Sequence, residues 1–250
     1  MAAAVADDSS DPFRFFRTGG KRIVNFTVTN CCNASCVYCS FHKQKNKKAV
    51  TLEQARRAID YLVDIDTGVV SLTGGEPLLK RDLPDIVRYA RSRGLIVLSG
   101  TNGALLAPET ARELKSAGLN ALWISYESNS PKDFEQNRGV PGLHDKVRAG
   151  VAALRDCGLP FFAIALINRS ITDLPAFVSG LQDIGFPTVK FDYPMGFELE
   201  STYRGWSSSP LLKFNGPENG RGGAKEGAGA FLAGRDGRPH RGRLFFVTLI

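Results

Sequence analysis

From Ile23 to about Asp192, short runs of β-branched and other apolar residues alternate with longer stretches in which apolar positions recur at helical spacing. The apolar runs cover residues 23–29, 68–72, 95–100, 121–125, 161–167 and 188–192, each short enough for a strand buried on both faces. Amphipathic stretches lie between them, at roughly 51–66, 82–93, 108–117, 142–157 and 172–184. Thr51 followed by Gln54 has the form of a capping box, in which two side chains satisfy two unpaired backbone N–H groups at a helix start. Gly94, Gly118, Gly158 and Gly185 each close a helical stretch just before the next strand, where a left-handed cap favours a residue without a Cβ. Repeated βα units with right-handed crossovers predict a parallel sheet. The pattern alone leaves open whether that sheet is flat and doubly wound or curled into an open barrel.

The periodicity fades at both ends. Residues 1–20 form an N-terminal extension, Ala-rich and acidic and then carrying Phe13, Phe15 and Phe16, which suits either a segment packed across the core or a mobile leader. Residues 21–200 are the expected core domain. Residues 201–250 form a Gly/Arg-rich tail, expected to be disordered or irregular, because between Asn215 and Gly242 the strong hydrophobes are Phe231 and Leu232. The run Gly220 to Gly229 lacks both the Gly-Lys-Ser/Thr ending and the preceding strand of a phosphate loop.

At 250 residues and 43% hydrophobic, the chain can bury one sizeable core. The formal charge of +7 is concentrated late in the chain, since from Lys213 onward seven Lys and Arg face three Asp and Glu. The basic balance therefore says little about the core and, without interleaved aromatic residues, does not point to nucleic acid. No apolar stretch approaches the roughly 20 residues that span a bilayer, and Met1 to Ser10 lack the basic-then-apolar order of a signal peptide. A soluble, cytoplasmic protein is expected.

Of five cysteines, Cys31, Cys32, Cys36 and Cys39 fall within nine residues, so they are not spread as a disulfide framework would be. Clustering of this kind suggests metal ligation in a reducing compartment. Cys157 ends an amphipathic stretch before Gly158, where a small buried hydrophobe is the ordinary reading. Cys32, Cys36 and Cys39, on a loop directly after the first strand, can hold three irons of a cubane cluster and leave the fourth without a protein ligand. A structural zinc site is the alternative. Closed zinc sites take four ligands, usually in two separated pairs, whereas this chain has no second cysteine pair and no paired spacing among His42, His144 and His240.

The run Cys32-Asn33-Ala34-Ser35-Cys36-Val37-Tyr38-Cys39 resembles the C-x3-C-x2-C motif of the radical S-adenosylmethionine (SAM) superfamily, including the aromatic residue before the third cysteine. Ser71-Leu72-Thr73-Gly74-Gly75-Glu76-Pro77 resembles the family's GGE element, and Thr101-Asn102-Gly103 its TNG turn. Ile124-Ser125-Tyr126-Glu127 with Asn137-Arg138-Gly139 resembles its Ser-Leu-Asp and Arg-Gly pattern, from which Tyr126 and Glu127 depart. Each motif falls at the C-terminal end of an expected strand, the face on which parallel βα barrels build their sites.

The resemblance implies a partial (β/α)6 TIM-like barrel in the α/β class. It also implies a 4Fe-4S cluster on Cys32, Cys36 and Cys39, and SAM bound by Tyr38, Gly74, Gly75, Glu76, Thr101, Asn102, Ser125 and Ile164, with Leu166 beside Ile164. Glu76 would accept from the SAM ammonium, and Tyr38 would lie near the adenine. The implied activity is reductive cleavage of SAM to a 5′-deoxyadenosyl radical that abstracts hydrogen from a small-molecule or peptide substrate. The implied electron source is a low-potential donor of the flavodoxin or ferredoxin type, and the lysine run Lys43, Lys45, Lys47 and Lys48 just after the third cysteine reads either as a solvated loop or as a surface that steers such a donor. The competing readings are a non-catalytic iron-sulfur or zinc protein and an RNA-binding or RNA-modifying protein.

Overall fold

The computed structural model describes residues 20–168, 170–192, 232–233 and 239–240. Six strands alternate with helices: β1 Arg22–Thr29, α1 Leu52–Asp64, β2 Thr67–Gly74, α2 Leu83–Ser92, β3 Ile96–Thr101, α3 Pro108–Ser116, β4 Ala121–Ser125, α4 Pro131–Arg138, α5 Leu143–Cys157, β5 Phe161–Leu166, α6 Leu174–Ile184 and β6 Val189–Asp192. The Thr51–Gln54 capping box opens α1, with Gln54 N donating to Thr51 Oγ1 at 3.1 Å and Thr51 N to Gln54 Oε1 at 2.9 Å. The four glycines expected to follow helices all take positive φ.

The strands hydrogen-bond in the order β1-β2-β3-β4-β5-β6, every neighbour parallel. A doubly wound sheet reverses its strand order at a switch point, and this one does not. With right-handed crossovers all stepping the same way, the helices share one face of the sheet, and the strands curl into a partial barrel. The main core lies between the outer face and the helices, where Val70, Leu72, Val97, Leu122, Ile124 and Ala163 meet Ile59, Ile86, Leu114, Val151 and Leu154. Val69, Leu98, Ala121 and Phe162 form a second, smaller cluster on the inner face, joined by Ile96, Trp123 and Ile164. Both faces of the central strands are thus apolar, as their short unbroken hydrophobic runs predict.

The helix α4 has no counterpart in the sequence reading. Its segment Pro-Lys-Asp-Phe-Glu-Gln-Asn-Arg has one strong hydrophobe, so no apolar face registers. Its ends are what define it. Ser130 caps the start by accepting from Asp133 N, Pro131 occupies the first turn, and Gly139 closes the end at φ 64°. Phe134 is fully buried beneath Tyr126, ring centroids 4.6 Å apart.

Tyr126 itself is fully buried among Phe134, His144 and Phe186, and its hydroxyl has no hydrogen-bond partner among the described residues. An unsatisfied buried hydroxyl costs about 1–3 kcal/mol, while Phe keeps the ring contacts. Tyr126→Phe is therefore expected to stabilise the protein by about 1 kcal/mol, a rise in melting temperature of about 2–4 °C. A thermal melt showing no rise would assign the hydroxyl a partner.

The expectations for residues 1–19, and for the tail apart from one short pairing, concern residues outside those described. That pairing is an antiparallel bridge between Leu232–Ala233 and Pro239–His240.

Candidate functional site

The cysteine loop follows β1 and is braced by backbone bonds from the segment after β2 and from the end of α4, and by a side-chain bond from the segment after β3. Gly75 N donates to Thr29 O at 2.8 Å and Glu76 N to Cys31 O at 2.7 Å, which joins the loop to the segment after β2. Ser35 N and Val37 N donate to Arg138 O and Asn137 O, at 3.0 and 2.9 Å, which joins it to the end of α4. Asn102 Nδ2 donates to Asn33 Oδ1 at 2.8 Å, a tie to the segment after β3. These contacts need close approach. A Cβ on Gly75 would lie 2.1 Å from Cys31 O, and one on Gly139 would lie 2.0 Å from Ser35 Oγ. Gly74, at φ 137°, faces Thr29 O in the same way.

Cys36 is buried, while Cys32 and Cys39 are half-buried. Burial pushes the Cys32 thiol up and the charges of Glu76, Cys36 and Cys39 push the same way, against an Ala34 N–H that points at its sulfur. Burial also raises the Cys36 thiol, opposed by the Arg138 guanidinium. The three cysteines lie within eight residues of one loop. Yet among the described residues no three His, Cys, Asp or Glu side chains converge as closely as a single metal ion requires. A cubane gives each thiolate its own iron and so takes ligands set wider apart than those round one ion.

Glu76 is buried and its carboxylate is engaged by the protein. Oε1 accepts from Leu78 N at 3.1 Å and Thr101 Oγ1 at 2.8 Å, and Oε2 accepts from Asn102 N at 2.7 Å. It therefore ties the end of β2 to the end of β3. The Thr101 hydroxyl also accepts from Gly103 N, and Asn102 Oδ1 from Ala104 N, which folds the Thr101-Asn102-Gly103 turn around the carboxylate. Ser125 and Ile164 are register partners at the ends of β4 and β5, half-buried and on one side of the sheet. Leu166 is half-buried two residues beyond Ile164. The Tyr38 hydroxyl donates to Glu127 Oε1 at 3.0 Å, so Tyr38 reaches towards the end of β4.

One pair lies outside the residues singled out as ligands. Arg138 donates from Nε to Glu127 Oε1 at 2.7 Å and from Nη2 to Oε2, a bidentate pair with Glu127 fully buried and Arg138 nearly so. The signal was in the sequence, in the Ser125-Tyr126-Glu127 and Asn137-Arg138-Gly139 segments. Their partnership was not, because α4 lies between them.

A family model described as the radical SAM superfamily matches residues 26–178. The chain belongs to that superfamily. Among curated radical SAM relatives, an AdoMet-dependent heme synthase of Methanosarcina barkeri is 34% identical over 146 residues, covering 58% of this chain and 42% of that protein. A GTP 3′,8-cyclase of Peptoclostridium acidaminophilum is 34% identical over 148 residues, 56% of this chain and 45% of that one. The chain thus spans less than half the length of these relatives. Among solved structures, anSMEcpe with bound AdoMet superposes with a TM-score of 0.61 at 16% identity, covering 72% of this chain and 53% of that one. Methylornithine synthase superposes at 0.60 and 18% identity, covering 80% and 61%. At such identities the superpositions speak to the radical SAM fold, and they agree with the unreversed strand order.

Proposed function

We propose that this chain is a radical SAM enzyme in which Cys32, Cys36 and Cys39 hold a 4Fe-4S cluster and the strand tips hold SAM. The observation that carries this reading is the placement of three thiols, one buried and two half-buried, on one loop braced by the ends of β2, β3 and α4, where the family motifs also fall. Thiolates whose deprotonation burial disfavours are stabilised by the positive charge of bound iron. When bound, the cluster and SAM supply one-electron cleavage of the sulfonium and hydrogen abstraction from a substrate.

The chain's own residues orient and shield. Gly74 and Gly75 let the segment after β2 lie close against the end of β1 and the cysteine loop, and Thr101, Asn102 and Ser125 offer polar atoms at the strand ends. Glu76 frames the turn after β3, and its Oε2, with one internal bond, retains capacity for the SAM ammonium. Ile164 supplies an apolar wall and Tyr38 an aromatic one. The substrate, a small molecule or peptide, would sit deeper on the inner face towards Trp123. Lys43, Lys45, Lys47 and Lys48, all exposed beside the cysteine loop, suit an acidic low-potential electron donor, since opposite potentials raise encounter rates. Among the described residues no helix is long and apolar enough to cross a membrane.

Anaerobic reconstitution tests the reading. Wild type, Cys31→Ala and Cys157→Ala are expected to bind about four irons per chain, and alanine at Cys32, Cys36 or Cys39 to lose them. Addition of SAM and dithionite to the wild type should release 5′-deoxyadenosine. A full iron complement in Cys36→Ala, or intact SAM after reduction, would overturn it.

A further inference from the structure

The Glu127–Arg138 pair is placed where a purely structural role explains only part of it. A buried ion pair is a weak device for stability, because desolvation of both charges offsets their attraction. This one is built with more than two groups. The guanidinium gives Nε and Nη2 to the Glu127 carboxylate and leaves Nη1 directed at Cys36 Sγ, 3.7 Å away. Its Cζ lies over the rings of Tyr38 and Phe134, 5.3 and 6.0 Å from their centroids. The Tyr38 hydroxyl completes the set on Glu127 Oε1. The same segment accepts the Ser35 and Val37 N–H groups, so the cysteine loop cannot move away from the guanidinium without breaking those bonds.

We propose that Arg138, aimed by Glu127, is a positioning residue that raises the reduction potential of the cluster, an inference that rests on the cluster reading above. The potential of an iron-sulfur cluster is set by net charge and by hydrogen bonds to its sulfurs, and groups behind the ligands tune the metal. One-electron reduction adds a negative charge beside Cys36. A guanidinium donating to that sulfur from a nearly dry position favours the reduced state, and the Glu127 carboxylate behind it acts in the opposite sense. The two partners of one ion pair therefore have opposite effects on the potential, although removing either breaks the same pair.

Opposed signs are what the experiment reads. The full chain is reconstituted anaerobically, and wild type, Arg138→Gln, Arg138→Lys and Glu127→Gln are titrated with dithionite through mediators, the reduced cluster being followed by electron paramagnetic resonance. Dithionite supplies the electron. Arg138→Gln is expected to lower the reduced-to-oxidised ratio at a fixed potential about tenfold, which is a midpoint about 59 mV more negative for one electron. Arg138→Lys keeps the charge but loses the fork and should fall by less. Glu127→Gln should move the midpoint the other way, to more positive potential. A structural role would lower cluster content and melting temperature in all three without opposed midpoints.

Midpoints that do not move, or that move in one direction for both partners, overturn the proposal. If Arg138→Gln cannot hold the cluster, Arg138→Lys and Glu127→Gln must still fall on opposite sides of the wild type, and failure to do so overturns it equally. A wild type that binds no iron would instead be a failure of the cluster reading, visible before any variant is compared.

Discussion

Gly75→Ala is expected to be among the most damaging single-methyl additions in the chain, costing about 3 kcal/mol and lowering the melting temperature by about 6–12 °C. The added Cβ would lie 2.1 Å from Cys31 O and 2.5 Å from Cys31 C, with Asn30 C at 3.0 Å. All three are backbone atoms, which cannot swing aside as the end of a long side chain can. The oxygen it would strike is the one that accepts from Glu76 N, so the clash and the loss of that bond coincide. Relief requires the cysteine loop to lift away from β2, which also spoils the setting of Cys32. Reduced iron loading should therefore accompany the lower melting temperature. Gly94→Ala is the control. Its Cβ would meet nothing within 4 Å, and the cost is only that of its φ of 81°, about 1–2 kcal/mol. If the two alanine variants melt together, close approach to the cysteine loop is not what requires Gly75.

That comparison also shows what the sequence could and could not disclose. Strand positions, the Thr51–Gln54 cap and the glycine ends of helices were legible, because each is a local preference written within a few residues. The choice of a barrel over a flat sheet was not, since strand order is a relation among segments 20 or more residues apart; the order β1 to β6 without reversal is what decides it. α4 was missed because its one buried hydrophobe, Phe134, leaves no periodic face. The motif residues are visible in the sequence, but not what they touch. Gly74 and Gly75 were expected to let the backbone approach SAM, and the structure also places the end of β1 against Gly74 and the start of the cysteine loop against Gly75. Glu127 and Arg138 stood in recognisable segments, yet nothing local indicates that they pair or that the remaining N–H points at Cys36. Such contacts arise only when the helix between them folds back across the strand ends.

Glu76→Ala is expected to cost about 3 kcal/mol, a fall of about 6–12 °C, even in protein without SAM. Its carboxylate satisfies Leu78 N, Asn102 N and the Thr101 hydroxyl in a site almost closed to water. Alanine leaves both backbone donors without an acceptor, at about 1–3 kcal/mol each, while the hydroxyl can rotate. Part of that is offset, because burial disfavours the charge and pushes the Glu76 carboxyl above its usual range, with the three hydrogen bonds opposing it. Glu76→Gln should fall between the two, since one of its terminal atoms is a donor and cannot accept from an N–H. The pH dependence separates these terms. A raised carboxyl binds its proton more readily in the folded state than in the unfolded one, so its contribution to stability is greatest below the unfolded pKa and is lost as pH rises through the folded pKa. The margin of wild type over Glu76→Gln should accordingly widen as pH falls through that window, measured by thermal melts at a series of pH values. If Glu76→Ala melts with the wild type and only SAM affinity drops, Glu76 acts on the ligand directly and the bridge between β2 and β3 carries no weight.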